Sequence, residues 1–319
     1  MTQLGYSLSS EEFSPIELIR YAKQAEDSGF TFSLISDHYH PWSNHQPHSG
    51  FVWSAIGGIS QTTSKLMLGT GVTCPTMRIN PAIVAQAAAT SATLMPDRFF
   101  LGVGTGENLN EHITGCHWPS PPDRLAMLEE AIEVIRRLWK GGWQSHDGKY
   151  YTVENARLFT LPAKAPAIMV AASKPAAASL AGRVGDGLIS FEPDPALVKT
   201  FEREGGKGKP RFGQLTVCYA RDENEAANAV RKYWPNAGIG GDLMTDLPLP
   251  SHFDQAVELI APEKITEGMP LGPDPEKHVE GIKQFLDAGF DHVYVHQVGP
   301  DQKSFFDFYA DKVMPRVQL

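Results

Sequence analysis

Cysteine is scarce: only 3 stand in 319 residues, Cys74, Cys116 and Cys218, far apart and without CxxC spacing. So odd and scattered a set offers no disulfide frame and no zinc knuckle, and suits a reduced, cytoplasmic protein. Positive charge is also in deficit, with 28 Lys and Arg against 37 Asp and Glu and a formal net charge of -9. That balance argues against nucleic acid or an anionic membrane surface as a partner. No window reaches the ~18 uncharged apolar residues of a membrane helix. Met1-Thr2-Gln3-Leu4-Gly5-Tyr6 lacks the basic-then-apolar order of a signal peptide. No GxSxG elbow is present and Cys74 has no base nearby in sequence, which disfavours a nucleophilic hydrolase. His38, His40, His45 and His48 lack convincing metal-ligand spacing, so no metal site is expected.

What is present is 42% hydrophobic residues, ample for a large core. Strands are expected at 3–7, 30–35, 65–72, 98–103, 167–171, 187–191, 214–220 and 291–297, with helices between them. The first helix opens at Ser14-Pro15, and Ile16, Ile19, Ala22 and Ala25, three apart, are expected to mark its buried face. Asp147-Gly148, flanked by aromatic and β-branched residues, signals a hairpin outside this rhythm. A helix near 254–260 is expected in an otherwise irregular Gly- and Pro-rich segment. Eight strands alternating with helices point to an α/β protein with a closed (β/α)8 TIM barrel; an open doubly wound sheet is the alternative. No linker divides the chain, so one domain over 1–319 is expected, with insertions at about 107–122, 141–162 and 235–273.

In such a barrel the loops after the strands share one rim, where ligands bind. Ser36-Asp37-His38-Tyr39-His40-Pro41-Trp42 follows the second strand and presents an acid, imidazoles and an indole there. A competing use is local, with Ser36 or Asp37 capping a helix. His38 suits proton transfer near neutral pH, and Trp42 can cover a cation or a ring. Gly71, Val72, Thr73 and Cys74 follow the third strand, and Glu107 and Asn110 the fourth. Gly102-Val103-Gly104-Thr105-Gly106 imitates a dinucleotide fingerprint only loosely, because the chain runs on into a Pro-rich loop instead of opening a helix. Close backbone approach to a flat ring, with Glu107 at its edge, is the better use of these glycines. After the fifth strand, Pro175 fits a first helical turn, which leaves the N–H groups of Ala176 and Ala177 free. With Ser173 and Lys174 beside them, they suit a phosphate.

Ser36 to Trp42, then Thr76-Met77-Arg78-Ile79-Asn80-Pro81-Ala82, Gly102-Val103-Gly104-Thr105-Gly106-Glu107-Asn108-Leu109-Asn110-Glu111 and Ala181-Gly182-Arg183-Val184-Gly185-Asp186-Gly187 together resemble the F420-dependent glucose-6-phosphate dehydrogenase group of the luciferase-like superfamily. The resemblance covers nearly the whole chain. It implies a (β/α)8 barrel with insertions, a homodimer, coenzyme F420 and a small-molecule substrate. It also implies roles: His38 as the base for the substrate hydroxyl, Glu107 as the acid toward the deazaflavin, and Trp42 as the aromatic that stabilises the reacting complex. Asp37, Cys74, Asn110, Ser173, Lys174, Ala176 and Ala177 match cofactor-contacting positions. Gly71 and Val72 fall where related barrels carry a bulge with a non-proline cis peptide.

The chain departs from that group where a sugar phosphate would bind. Phe191 stands in place of Thr, Asp194 falls near a Lys position, and the late insertion offers Leu259-Ile260-Ala261-Pro262-Glu263-Lys264 and then Thr266-Glu267-Gly268-Met269, acids and apolar groups, where a basic residue would be wanted. Such groups would repel a phosphate. The expected substrate is therefore not glucose 6-phosphate but a more apolar alcohol, ketone or enone. An FMN-dependent monooxygenase of the same superfamily is the alternative, and a non-catalytic cofactor-binding protein a third reading.

Overall fold

Apolar residues alternate along the strands, and that alternation builds the inside of the molecule. The computed structural model describes residues 2–317. Its strands are β1 (Gln3–Leu8), β2 (Phe32–Ile35), β3 (Met67–Thr70), β4 (Phe99–Val103), β5 (Gln144–Asp147), β6 (Thr152–Ala156), β7 (Ile168–Ala171), β8 (Gly187–Ser190), β9 (Arg211–Val217) and β10 (His292–Gln297). Eight of them close into a barrel in the order β1-β10-β9-β8-β7-β4-β3-β2. All its pairings are parallel, as in Gly5 opposite Phe32 and Tyr6 opposite Val295. Every second residue points inward, and Phe32, Leu34, Phe100, Met169, Ile189, Phe212 and Tyr294 fill the interior. Outward residues such as Tyr6, Leu68 and Val170 pack with the helices in a larger cluster.

Helix starts follow the local chemistry. Ser14 and Glu17 form a reciprocal capping box at Pro15–Asp27, with Pro in the first turn. Ile16, however, is 80% exposed, and the buried face is Leu18, Tyr21, Ala22 and Ala25. A step of three residues falls short of a full turn by about 60°, so Ile16 and Ala25 end up on opposite faces. The hairpin at Asp147-Gly148 forms as expected, with β5 and β6 antiparallel and Gly148 N–H donating to the Tyr151 carbonyl at 3.0 Å.

Several boundaries move. β9 starts three residues earlier than its alternation suggests, because Arg211 is neutralised by Asp291 and Glu202 at 2.9 and 2.7 Å and so tolerates a strand position. Pro195–Phe201 is the helix that follows β8, capped by Asp194 through Ala196 N–H at 2.8 Å. In the late insertion the helix is Pro250–Val257, begun by its proline. After Glu107 a one-turn helix, Asn108–Glu111, replaces the expected loop. β3 stops at Thr70, and the next peptide bond but one, Gly71–Val72, is cis.

Glycine permits the close approach of β3 and β4. A Cβ on Gly102 would lie 1.9 Å from the Thr70 carbonyl oxygen, a backbone atom that cannot step aside. Gly102→Ala is expected to destabilise the protein by about 2–3 kcal/mol through overpacking, measured as a lower urea midpoint at an unchanged slope.

Candidate active site

The chain leaves β1 into Ser9-Ser10-Glu11-Glu12, and Glu11 turns into the barrel mouth, 1% exposed. Its Oε1 lies 2.7 Å from His38 Nδ1, while Ser36 and Ser9 hydroxyls donate to Oε2 at 2.8 and 3.0 Å. Ser36 is therefore no helix cap; it tethers the carboxylate. On the other side of the imidazole, Nε2 is 3.9 Å from Glu107 Oε2. The Trp42 indole stands nearly perpendicular to the His38 ring, centroids 5.0 Å apart. Groups from three strand ends thus converge on one imidazole.

The charges of the buried pair support each other. Burial alone would push the Glu11 carboxyl up, but the His38 charge 2.7 Å away and the hydrogen bond from Ser36 hold it below the usual carboxylate range. Burial works against a charge on His38 as well, yet Glu11, with Glu107 and Asp37 farther off, raises its pKa above an ordinary histidine's.

Asn110 splices two loops. Its Oδ1 accepts from Tyr39 and His40 N–H at 2.8 and 3.0 Å, and its Nδ2 donates to Glu107 Oε2 at 3.3 Å. Asp37 faces the other way, accepting from Thr73 Oγ1 at 2.7 Å and from an Arg78 Nη at 2.9 Å. Arg78 also gives its backbone N–H to Glu111 at 2.7 Å. Burial raises the Glu111 carboxyl to about 7 in spite of Arg78. Cys74 is buried 3.0 Å from the Thr76 hydroxyl, and burial pushes its thiol well up. Gly106 has φ +74°, and a Cβ there would meet Cys74 Sγ at 2.6 Å. A Cβ on Gly104 would meet the Val72 side chain at 2.7 Å, so bare glycine backbone runs beside the Gly71–Val72 peptide.

β7 ends at Ala171, beside Gly104, and its loop follows. Ser173, Lys174 and Ala176 are exposed, and no side chain caps the helix Pro175–Val184. Among the described residues Lys174 pairs with Asp242 of the late insertion at 2.5 Å. That insertion also closes on Trp42: Phe253 meets the indole edge-on at 5.3 Å, in a cluster with Leu109 and Ile239. Asp254 takes the Ser43 hydroxyl at 2.6 Å. Glu11, Arg78 and Glu111 were not singled out from the sequence. Two acids directly after the first strand were a readable signal for Glu11; Arg78 and Glu111 carried none beyond their motifs.

The luciferase-like monooxygenase family model matches residues 1–292. The chain belongs to that family. Within it, the chain is 34% identical to the F420-dependent glucose-6-phosphate dehydrogenase of Mycobacterium tuberculosis, covering 99% of this chain and 98% of the relative. The corresponding protein of Nocardia farcinica is also 34% identical, over the same shares. A solved structure, an F420-dependent secondary alcohol dehydrogenase in complex with an F420-acetone adduct, superposes with a TM-score of 0.91 at 32% identity, covering 98% of both chains. The coenzyme F420-dependent tetrahydromethanopterin reductase of Methanopyrus kandleri shares the fold, with a TM-score of 0.79 at 22% identity over 98% of this chain and 99% of that one.

The Arg78 guanidinium lies 2.9 Å from Asp37 and 3.5 Å from Glu111 and so joins the two. Arg78→Ala would leave Asp37 with the Thr73 hydroxyl and Glu111 with the residue-78 N–H but neither with a counter-charge, and is expected to cost about 3 kcal/mol, read as a loss of stability in chemical denaturation at pH 7. Lowering the pH toward 5 should recover part of that loss, because Glu111, already raised to about 7, is then neutral.

Proposed function

We propose that this protein is an F420-dependent oxidoreductase interconverting an uncharged alcohol and its carbonyl compound, or reducing an enone, and that glucose 6-phosphate is not its substrate. The observation that carries this reading is the line Glu11–His38–Glu107, at 2.7 and 3.9 Å, beside the Trp42 ring. The surroundings fit a flat, phosphate-tailed cofactor. Gly104 and Gly106 leave bare backbone that a Cβ would fill, next to Val72 and Cys74. The uncapped helix start at Pro175 offers the N–H groups of Ala176 and Ala177, with Ser173 and Lys174 at hand for an anion. Asp37, Gly71 and Asn110 complete the cofactor contacts in this reading.

F420, when bound, supplies the hydride carrier. The chain handles the protons. His38 Nδ1 is tied to Glu11, which leaves Nε2 as the atom that takes the proton of a substrate hydroxyl or returns it to a carbonyl oxygen. Glu107 is the acid on the cofactor side. Trp42, with Phe253 and Ile239 behind it, gives the substrate an apolar wall. Phe191, 60% exposed, and the Glu263 and Glu267 carboxylates offer nothing to a sugar phosphate.

The reading treats the whole chain as one domain and as half of a homodimer. Exposed Phe51, Ile83 and Leu94, around the helices Val52–Thr62 and Pro81–Leu94, supply an apolar face for the second copy. Free Cys74, Cys116 and Cys218 accord with a reduced, cytoplasmic setting.

Fluorescence titration should give tight binding of F420 and weaker binding of FMN. F420 reduction should proceed with secondary alcohols and not with glucose 6-phosphate; robust turnover of the sugar phosphate would refute the substrate assignment. His38→Ala should lower kcat/KM about 10²–10⁴-fold with F420 binding retained. The pH profile has a definite sign. A base must be unprotonated, so kcat/KM for alcohol oxidation rises with pH through a value above that of ordinary histidine. Glu11→Gln removes the charge that raises it, and the acid limb should move about 1–3 pH units lower.

A further inference from the structure

Glu12, the neighbour of Glu11, makes a second buried carboxylate–imidazole contact that the mechanism above does not use. Its Oε2 lies 2.7 Å from His296 Nε2, and its Oε1 accepts the Gly299 N–H at 2.9 Å. Both side chains are almost fully buried, 4% and 2% exposed. His296 stands two residues beyond Tyr294 on β10, and Tyr294 fills the barrel interior. Strand alternation therefore turns His296 inward at the barrel mouth. Its Nδ1 has no hydrogen-bond partner, so Glu12 alone fixes the ring by hydrogen bonding. Against that ring stands Trp234, at the head of the late insertion, centroids 4.4 Å apart and planes at 71°.

Trp234 belongs to the wall around the candidate substrate space. It packs on the cluster of Trp42, Leu109, Ile239 and Phe253. Gln46 ties the two indole segments, accepting Trp42 N–H at 2.8 Å and donating to the Tyr233 carbonyl at 2.9 Å. A single loop, Ser9 to Phe13, thus serves two imidazoles, one that meets Glu107 and one that supports an indole.

We propose that Glu12 and His296 are a positioning pair that sets the place of Trp234 and through it the size of substrate accepted, whereas Glu11 and His38 set the rate. The proposal rests on the oxidoreductase reading for its kinetic arm only. Without Glu12 the imidazole can turn, the indole loses its backing, and the wall loosens while His38 stays in place.

The test uses the full-length, F420-loaded enzyme with isopropanol and a long-chain secondary alcohol. Glu12→Gln and His296→Phe should each change the KM ratio of the two alcohols about fivefold or more, with kcat on isopropanol held within about twofold. Glu11→Gln should lower kcat on both alcohols alike. Near-UV circular dichroism gives a readout that needs no turnover. The indole band should change in Glu12→Gln, and Glu12→Gln should add nothing further in a Trp234→Phe background. Equal kcat losses on both alcohols, or a wild-type indole band in Glu12→Gln, would overturn the pair. If no alcohol is oxidised by the wild type, the oxidoreductase reading falls and the circular dichroism cycle alone decides. If the pair variants fail to fold, Trp234→Phe must itself shift the KM ratio, and an unshifted ratio overturns the proposal.

Discussion

A buried carboxylate against a buried imidazole is the contact on which this barrel mouth depends. Each of Glu11 and His38, taken alone, would be costly to charge in a place so poorly hydrated; together they make charge tolerable. The contact joins the end of β1 to the end of β2, which are hydrogen-bonded neighbours. It also spends Nδ1, so the free nitrogen is the one facing Glu107. Positional and chemical consequences follow from the same 2.7 Å approach.

Around this pair the rim loops hold one another through buried polar side chains, with Leu109 packed near Trp42. Asn110 receives two N–H groups of the β2 loop, and Arg78 links Asp37 to Glu111. Buried polar networks of this kind are unforgiving, since each unmade partner is a desolvated group. They hold the side chains around His38 in fixed positions. The apolar side of the site comes from elsewhere: Phe253 and Ile239 of the late insertion, laid over Trp42. The imidazole and carboxylates therefore sit on the barrel, and most of the apolar wall over Trp42 sits on the late insertion.

Much of the architecture was legible because its signals are local. Strand and helix periods, the Ser14-Pro15 start and the Asp147-Gly148 turn each act over a few residues. Where sequence reasoning slipped, either a distant residue had changed the local terms or the helical geometry had been misjudged. Arg211 is acceptable in β9 because Asp291 lies beside it. Asp194, weighed as a group that repels phosphate, is occupied in capping a helix. Ile16 misled because regular spacing at three is not a face.

Residue identity and order were enough to place His38 and Trp42 on the loop after β2 and Glu107 on the loop after β4, since a barrel puts all such loops on one rim. They could not reveal which group would meet which nitrogen of His38. Glu11 and His38 stand twenty-seven residues apart, and Glu12 and His296 lie at opposite ends of the chain. Only closure of the barrel, which sets β1 between β2 and β10, brings one tandem of acids against two imidazoles. Pairings of that kind depend on distance and burial, and neither exists until the chain has folded.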